Sequence, residues 1–222
     1  MMELKFLGKK KETNDVWTFS FELPQNFTWD PGQFNIYSLK HENEDVRGRQ
    51  RFFTISSAPF ENIINITTRI SENGSTFKKA LMELELGDKI NAKGPDGDFI
   101  FEGTGKKYLF IAGGIGITPF RSILSELNHG DLNADIILLY SNSSDNIAFK
   151  EEFDSYKNPN LKIEYVVGKR IDENLIKTVD DFKERIIYIS GPEQMVKEIN
   201  NILLGLGIKK ENMRKDYFPG YD

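Results

Sequence analysis

The run Leu109-Phe110-Ile111-Ala112-Gly113-Gly114-Ile115-Gly116-Ile117-Thr118-Pro119-Phe120 constrains this chain more than any other stretch. Its first half is continuously apolar, as a strand buried on both faces must be. Three glycines then turn the chain into an amphipathic stretch that extends to about Leu127. Strand, glycine turn and helix together bring backbone amides to a helix N-terminus, where a phosphate can be held. Thr118 reads as the N-cap, and Pro119 suits the first helical position because its missing N–H would have no partner there. The dinucleotide fingerprint is incomplete, however. Pro119 stands where its third glycine would be, and the next strand ends Leu139-Tyr140-Ser141-Asn142 without an acidic residue. A plain tight turn in an α/β domain is the alternative for the glycines taken alone.

From Lys107 onward, buried strands alternate with amphipathic stretches. The spacing predicts strands over 107–112, 134–140, 161–167 and 185–190, and helices over 118–128, 147–157, 172–178 and 192–204. This order implies a parallel, doubly wound sheet, whose ligands sit at the C-terminal ends of the strands. Gly113 to Gly116, Ser141-Asn142-Ser143, Gly168-Lys169-Arg170 and Ser190-Gly191-Pro192 meet at that rim. Lys169 and Arg170 suit an anion there, or are solvated surface charges.

The first half has a different rhythm. Residues 3–11, 15–23 and 33–41 read as strands, and Trp17, Phe19, Phe21 and Leu23 alternate with Val16, Thr18, Ser20 and Glu22 so that an aromatic side faces a core. A charged, glycine-containing loop follows from His41 to Gln50, then Arg51-Phe52-Phe53-Thr54 and a strand over 63–70. Short strands at this spacing imply an antiparallel barrel. Residues 51, 53 and 55 share a strand face. Arg51's planar fork suits a phosphate and Phe53 can cover a flat ring; an arginine at the barrel rim with a snorkelling stem is the alternative. Gly74-Ser75-Thr76 opens a second helix through Leu86, which is a second phosphate position or an ordinary N-cap. Asp88–Ala92 is the last strand, Gly94 to Phe99 closes the unit, and the boundary falls near Gly103-Thr104-Gly105.

Composition removes whole classes of function. The 222 residues contain no cysteine, which excludes disulfides, thiolate zinc, a cysteine nucleophile and Cys-bound iron–sulfur clusters in this sequence. The two histidines, His41 and His129, read as surface residues, and no metal site is expected. The net charge of -5 and the lack of a basic stripe argue against nucleic acid. No apolar run approaches the roughly 20 residues of a membrane span, and the first residues have no signal-peptide core, so a cytoplasmic protein is expected.

The order of these pieces resembles the ferredoxin–NADP reductase superfamily of flavoprotein reductases. That family carries Arg-x-Tyr-Ser/Thr, a glycine-serine helix start, Gly-Pro-x-Gly-x-Phe, Gly-Gly-x-Gly-x-Thr-Pro, and Cys-Gly-Pro with a later Met. Here they stand as Arg51-Phe52-Phe53-Thr54, Gly74-Ser75-Thr76, Gly94-Pro95-Asp96-Gly97-Asp98-Phe99, Gly113 to Pro119, and Ser190-Gly191-Pro192 with Met195. The resemblance implies an FAD-binding β-barrel domain over 1–103 and an NAD(P)-binding α/β domain over 104–222. It implies that Arg51 pairs with the flavin phosphate, that Phe53 packs on the isoalloxazine, and that Thr54 lies near flavin N5. Phe52 and Thr68 join the flavin site, and the amides of Gly74, Ser75 and Thr76 hold the FAD pyrophosphate. Gly114, Gly116, Thr118, Pro119, Ser141, Lys169, Arg170, Gly191 and Pro192 are assigned to the nicotinamide dinucleotide, and Tyr221 of the aromatic tail to the flavin face. Two positions depart from the family: Phe53 replaces Tyr and loses a phenol, and Ser190 replaces Cys beside the nicotinamide.

The expected activity is that of an FAD-dependent NAD(P)H oxidoreductase. Hydride passes from NADH or NADPH to FAD (FMN being the lesser candidate), then electrons pass to a separate acceptor such as a ferredoxin, a flavodoxin or a small molecule. Thr54 and Ser190 are the residues placed at the chemistry. The alternatives are a flavin reductase that uses flavin as substrate, and an electron-transfer or regulatory subunit of a larger complex.

Overall fold

The computed structural model of the chain describes residues 1–218, so Tyr221 and the rest of the predicted aromatic tail lie outside the described residues. The first half forms β1 (Met2–Lys11), β2 (Val16–Glu22), β3 (Phe34–Ser38), β4 (Gln50–Thr54), β5 (Ile63–Arg69), α1 (Thr76–Glu83) and β6 (Lys89–Asp96). The six strands pair in the order β4-β3-β6-β1-β2-β5, all antiparallel. Alternation decides which side is inside. Phe19 and Phe21 stand opposite Ile66 and Ile64, and all four are fully buried. Phe77 and Leu81 of α1 complete this core. Burying each such side chain contributes about 2 kcal/mol. The two outer strands approach through polar groups: the Ser56 N–H donates to the Asn65 carbonyl at 2.9 Å. The Ser56 and Thr18 hydroxyls each lie 2.8 Å from Thr67 Oγ1, so the buried hydroxyls satisfy one another.

The second half forms β7 (Lys107–Gly113), α2 (Thr118–His129), β8 (Asp135–Asn142), α3 (Lys150–Asp154), β9 (Leu161–Val167), α4 (Glu173–Lys177), β10 (Ile186–Pro192), α5 (Glu193–Gly205) and β11 (Met213–Phe218). The sheet order is β11-β10-β7-β8-β9 and every pairing is parallel. The apolar run of β7 serves two cores at once. Tyr108, Phe110 and Ala112 face the α2 side, and Leu109 and Ile111 face the α5 side.

Three local expectations need correction. Thr118 is not the N-cap of α2. Gly114–Ile117 already form a 3-10 turn, and Thr118 begins the helix with its hydroxyl donating to the Ile115 carbonyl at 3.2 Å. The helix predicted over 147–157 shrinks to five residues, because Phe149 takes a left-handed conformation at φ 62 that interrupts helical geometry. The fifth strand, β11, was not predicted. Its sequence, Met-Arg-Lys-Asp-Tyr-Phe, carries three consecutive charges that suit the edge of the sheet, and it lies parallel to β10 with Ser190 opposite Asp216.

The two sheets are joined by one buried cation on α2. Arg121 donates to the Ser56 carbonyl at 3.1 Å and pairs with Glu61 from the barrel and with Glu152 from α3 at 3.0 Å. Its side chain is 12% exposed, so these partners replace most of its water. Next to it Ser122 Oγ donates to the Ser57 carbonyl at 2.6 Å, and the Phe60 ring stacks on His129 at 3.8 Å. His129 is thus an exposed histidine at the end of α2, as expected, whose ring also covers Phe60 at the junction. Removing one partner from a buried charge network typically costs about 3 kcal/mol. Arg121→Met should therefore lower the denaturant midpoint of unfolding by a corresponding amount; an unchanged midpoint would contradict this account of the junction.

Candidate cofactor and nucleotide site

On the barrel, the site starts where β4 meets the N-terminus of α1. Arg51 and Phe53 share the inner face of β4, opposite Tyr37 and Asn35. The Arg51 guanidinium lies over the Phe77 ring at 5.4 Å and donates to the Arg47, Gly48 and Gln50 carbonyls. Phe53 is 9% exposed and packs on Tyr37 and Phe77. Ser75 caps α1, its hydroxyl accepting the Lys78 N–H at 3.4 Å. The Gly74 N–H donates to the Ser71 carbonyl, whereas the Thr76 N–H meets the Asp45 carboxylate at 3.1 Å. Thr54 and Thr68 are buried, and Thr68 Oγ1 has no hydrogen-bond partner among the described residues.

Cations cluster here. Lys78 Nζ donates to the Arg69 carbonyl at 2.9 Å, and its pKa falls to about 8, chiefly through burial and secondarily through Arg69, Arg51 and Arg47. Arg69 pairs with Asp15 at 2.9 Å and carries the cluster across to the second sheet. A Cβ added to Gly114 would lie 3.7 Å from Arg69 Nη2.

The glycines of the turn divide the work. Gly114 has φ +51 and its face is otherwise open. Gly116 is enclosed: a Cβ there would lie 2.3 Å from the Ser190 carbonyl oxygen and 2.6 Å from Gly191 Cα. Its lack of a side chain lets the turn close on the end of β10. Thr118 and Pro119 are buried in the start of α2, directly after the turn. Ser190 is fully buried, and Pro192 leads β10 into α5.

A cavity of about 300 Å³ opens between the halves, lined by Thr13, Arg69, Gly114, Tyr140, Ser143 and Asn146. Farther along the rim, Ser141 Oγ donates to the Lys169 carbonyl at 3.1 Å, while Arg170 extends into solvent and pairs with Glu198 at 3.3 Å. Phe52 falls on the opposite face of β4 from Arg51, 60% exposed and against Phe34, so it is not brought to the cluster.

The comparisons with known proteins agree with this arrangement. The oxidoreductase FAD-binding domain matches residues 3–101, and the oxidoreductase NAD-binding domain matches residues 110–201. The chain carries both oxidoreductase domains, the FAD-binding one followed by the NAD-binding one. It is 29% identical to a flavohemoprotein of Candida albicans over 86% of this chain and 51% of that protein. It is 27% identical to the glycine betaine monooxygenase reductase subunit of Chromohalobacter salexigens, over 94% of this chain and 61% of that one. It thus spans about half to three fifths of these relatives' lengths. The fold is that of the ferredoxin NADP+ reductase of Neisseria gonorrhoeae solved with bound FAD and NADP, with a TM-score of 0.78 at 20% identity over 97% of this chain and 98% of that chain.

The chain therefore has an FAD-binding and an NAD-binding oxidoreductase domain, and its residues fit those groups. A cation cluster around a helix N-terminus suits a diphosphate, and the orphaned Thr68 hydroxyl awaits a polar partner. One residue of the chain escaped the motif pattern altogether. Asp216 of β11 lies opposite Ser190, which donates to it at 3.4 Å. Burial raises its pKa from 3.8 to about 6. Only the parallel pairing with β10 reveals it, and the sequence shows just a carboxylate between Lys215 and Tyr217.

Asp216 binds its proton more tightly in the folded than in the unfolded chain, so its contribution to stability is full below about pH 4 and is lost as pH rises through about 6. Asp216→Asn removes that loss. The difference in melting temperature between variant and parent should grow in favour of the variant from pH 4 to pH 7, and a flat difference would contradict the burial of this carboxylate.

Proposed function

We propose that the chain is an FAD-dependent NAD(P)H oxidoreductase that delivers electrons to a separate acceptor. The observation that carries this is the continuity of the site across the junction. From the α1 N-terminus, Arg51, Lys78 and Arg69 lead to Gly114 without a break, so a flavin on the barrel and a nicotinamide at the turn would be neighbours. Bound FAD supplies the hydride acceptor and the means of passing electrons on.

The chain's own part is to bind, orient and shield. In this reading residues 1–103 form the flavin domain and 104–222 the nucleotide domain. Arg51 and the α1 start at Gly74, Ser75 and Thr76 hold the flavin phosphates, with the Thr76 amide facing the anion. Phe53, Thr54 and Thr68 border the isoalloxazine. The open face of Gly114, with Ser190, Gly191 and Pro192 beside it, receives the nicotinamide end, and Gly116 keeps that wall close. Ser141 and Lys169 take the far end of the dinucleotide, where Lys169 and Arg170 suit a phosphate. Alignment of two bound rings accelerates hydride transfer without an ionisable protein group.

The acceptor is a distinct protein or small molecule. The relative from Chromohalobacter salexigens, by its name the reductase subunit of a glycine betaine monooxygenase, supports this. A ferredoxin, a flavodoxin or an oxygenase component fits this role. No helix among the described residues is long and apolar enough to cross a membrane, and we place the protein in the cytoplasm on that basis together with its composition.

An anaerobic absorbance titration of the FAD-loaded protein with NADH, and separately NADPH, tests the proposal. The flavin bands should bleach with at least one nucleotide. A protein that takes up neither FAD nor FMN, or whose bound flavin neither nucleotide bleaches, would overturn it.

A further inference from the structure

The loop over 39–49 lies across the N-terminus of α1, and Asp45 fastens it there. The Thr76 N–H donates to Asp45 Oδ2 at 3.1 Å, and the Asp45 N–H donates back to Thr76 Oγ1 at 3.1 Å. Arg47 donates to Oδ2 through Nε at 3.2 Å and Nη2 at 2.9 Å, and Arg51 Nη2 lies 3.5 Å from Oδ1. His41 steadies the same point, with Nε2 at 2.9 Å from Thr76 Oγ1. The Arg47 hydrogen bond, helped by the Thr76 amide, holds the Asp45 carboxyl well below the usual carboxylate range.

A helix amide and two guanidiniums around one oxyanion form a phosphate cradle. Here the oxyanion belongs to the chain itself. Positive charge gathers beside the cradle: Arg51 lies 3.5 Å from Asp45, and Arg69, Arg51 and Arg47 all act on Lys78 two residues into α1. Leu39 and the His41 ring anchor the start of the loop on the barrel core, but beyond them apolar anchorage is slight: Val46, beside Asp45, is fully exposed, and residues 42–44 are also exposed. Polar contacts alone hold Asp45 in place, and a more highly charged anion can replace them.

We propose that Asp45 is an internal competitor for the flavin phosphate: its carboxylate takes the α1 cradle and must leave, with its loop, when a phosphate-bearing flavin seats. The inference rests on the proposed role of Arg51 and the α1 N-terminus. It makes apparent flavin affinity depend on the fraction of molecules in which the loop is open. Riboflavin, which lacks phosphate, does not compete with Asp45.

The test is a fluorescence titration of the full chain, stripped of flavin, with FAD, FMN and riboflavin. It compares the parent with Asp45→Asn, Asp45→Ala and Arg51→Ala. Both Asp45 variants should bind FAD and FMN more tightly by about fivefold or more, with riboflavin affinity unchanged. Arg51→Ala should weaken FAD and FMN. If the Asp45 variants bind FAD no better than the parent, or gain equally for riboflavin, the competition is refuted while the Arg51 result still supports the cradle. If Arg51→Ala leaves FAD affinity unchanged, the cradle assignment fails and the inference with it.

Discussion

Arg121 reaches from α2 to the Ser56 carbonyl and to Glu61 of the barrel, and back to Glu152 of its own half. A guanidinium this buried is stable only where acceptors are fixed around it. The barrel segment 56–61 therefore has one good seat on α2. Ser122 and the Phe60–His129 stack reinforce it from either side. Because α2 starts directly from the glycine turn, fixing α2 against the barrel also fixes the turn against β5. The approach of Arg69 to Gly114 follows from that seat.

The site is thus assembled from two incomplete halves. The barrel contributes the cations and a helix N-terminus. The parallel sheet contributes an open glycine face and the ends of its strands, where ligands of such sheets bind. No group of three or more metal-ligating side chains occurs among the described residues. The charge arrangement has protein causes: burial and neighbouring arginines lower Lys78, burial raises Asp216, and Arg47 holds Asp45 as an anion.

Much of this was legible in the sequence because its strongest signals were physical ones. The β7 run had to be doubly buried, and its two faces do feed two cores. The aromatic alternation of β2 had to face inward. The motifs at Arg51, Gly74 and Gly114 could be ordered along the chain, which made the family recognisable. Other features depended on contacts between distant residues. Asp216 gains its character only from a parallel neighbour, and β11 is too polar to announce itself as part of a sheet. Arg121 looked like an ordinary charge on an amphipathic helix, since its partners lie some 60 residues earlier and 31 residues later. Phe149 delays the start of α3 through one left-handed residue that no periodicity could show. Asp45 sat in a stretch that read only as an exposed charged loop.

The central claim is that the junction aligns the two halves for electron transfer while the barrel alone retains the flavin. The most direct measurement is the rate at which reduced nicotinamide bleaches the bound flavin in rapid mixing, for the FAD-loaded parent and Arg121→Met, with FAD affinity measured alongside. Small misplacements of reacting partners cost up to about a hundredfold in rate. The account predicts FAD affinity close to that of the parent and a bleaching rate lower by about tenfold or more. An unchanged rate at nucleotide saturation would contradict it.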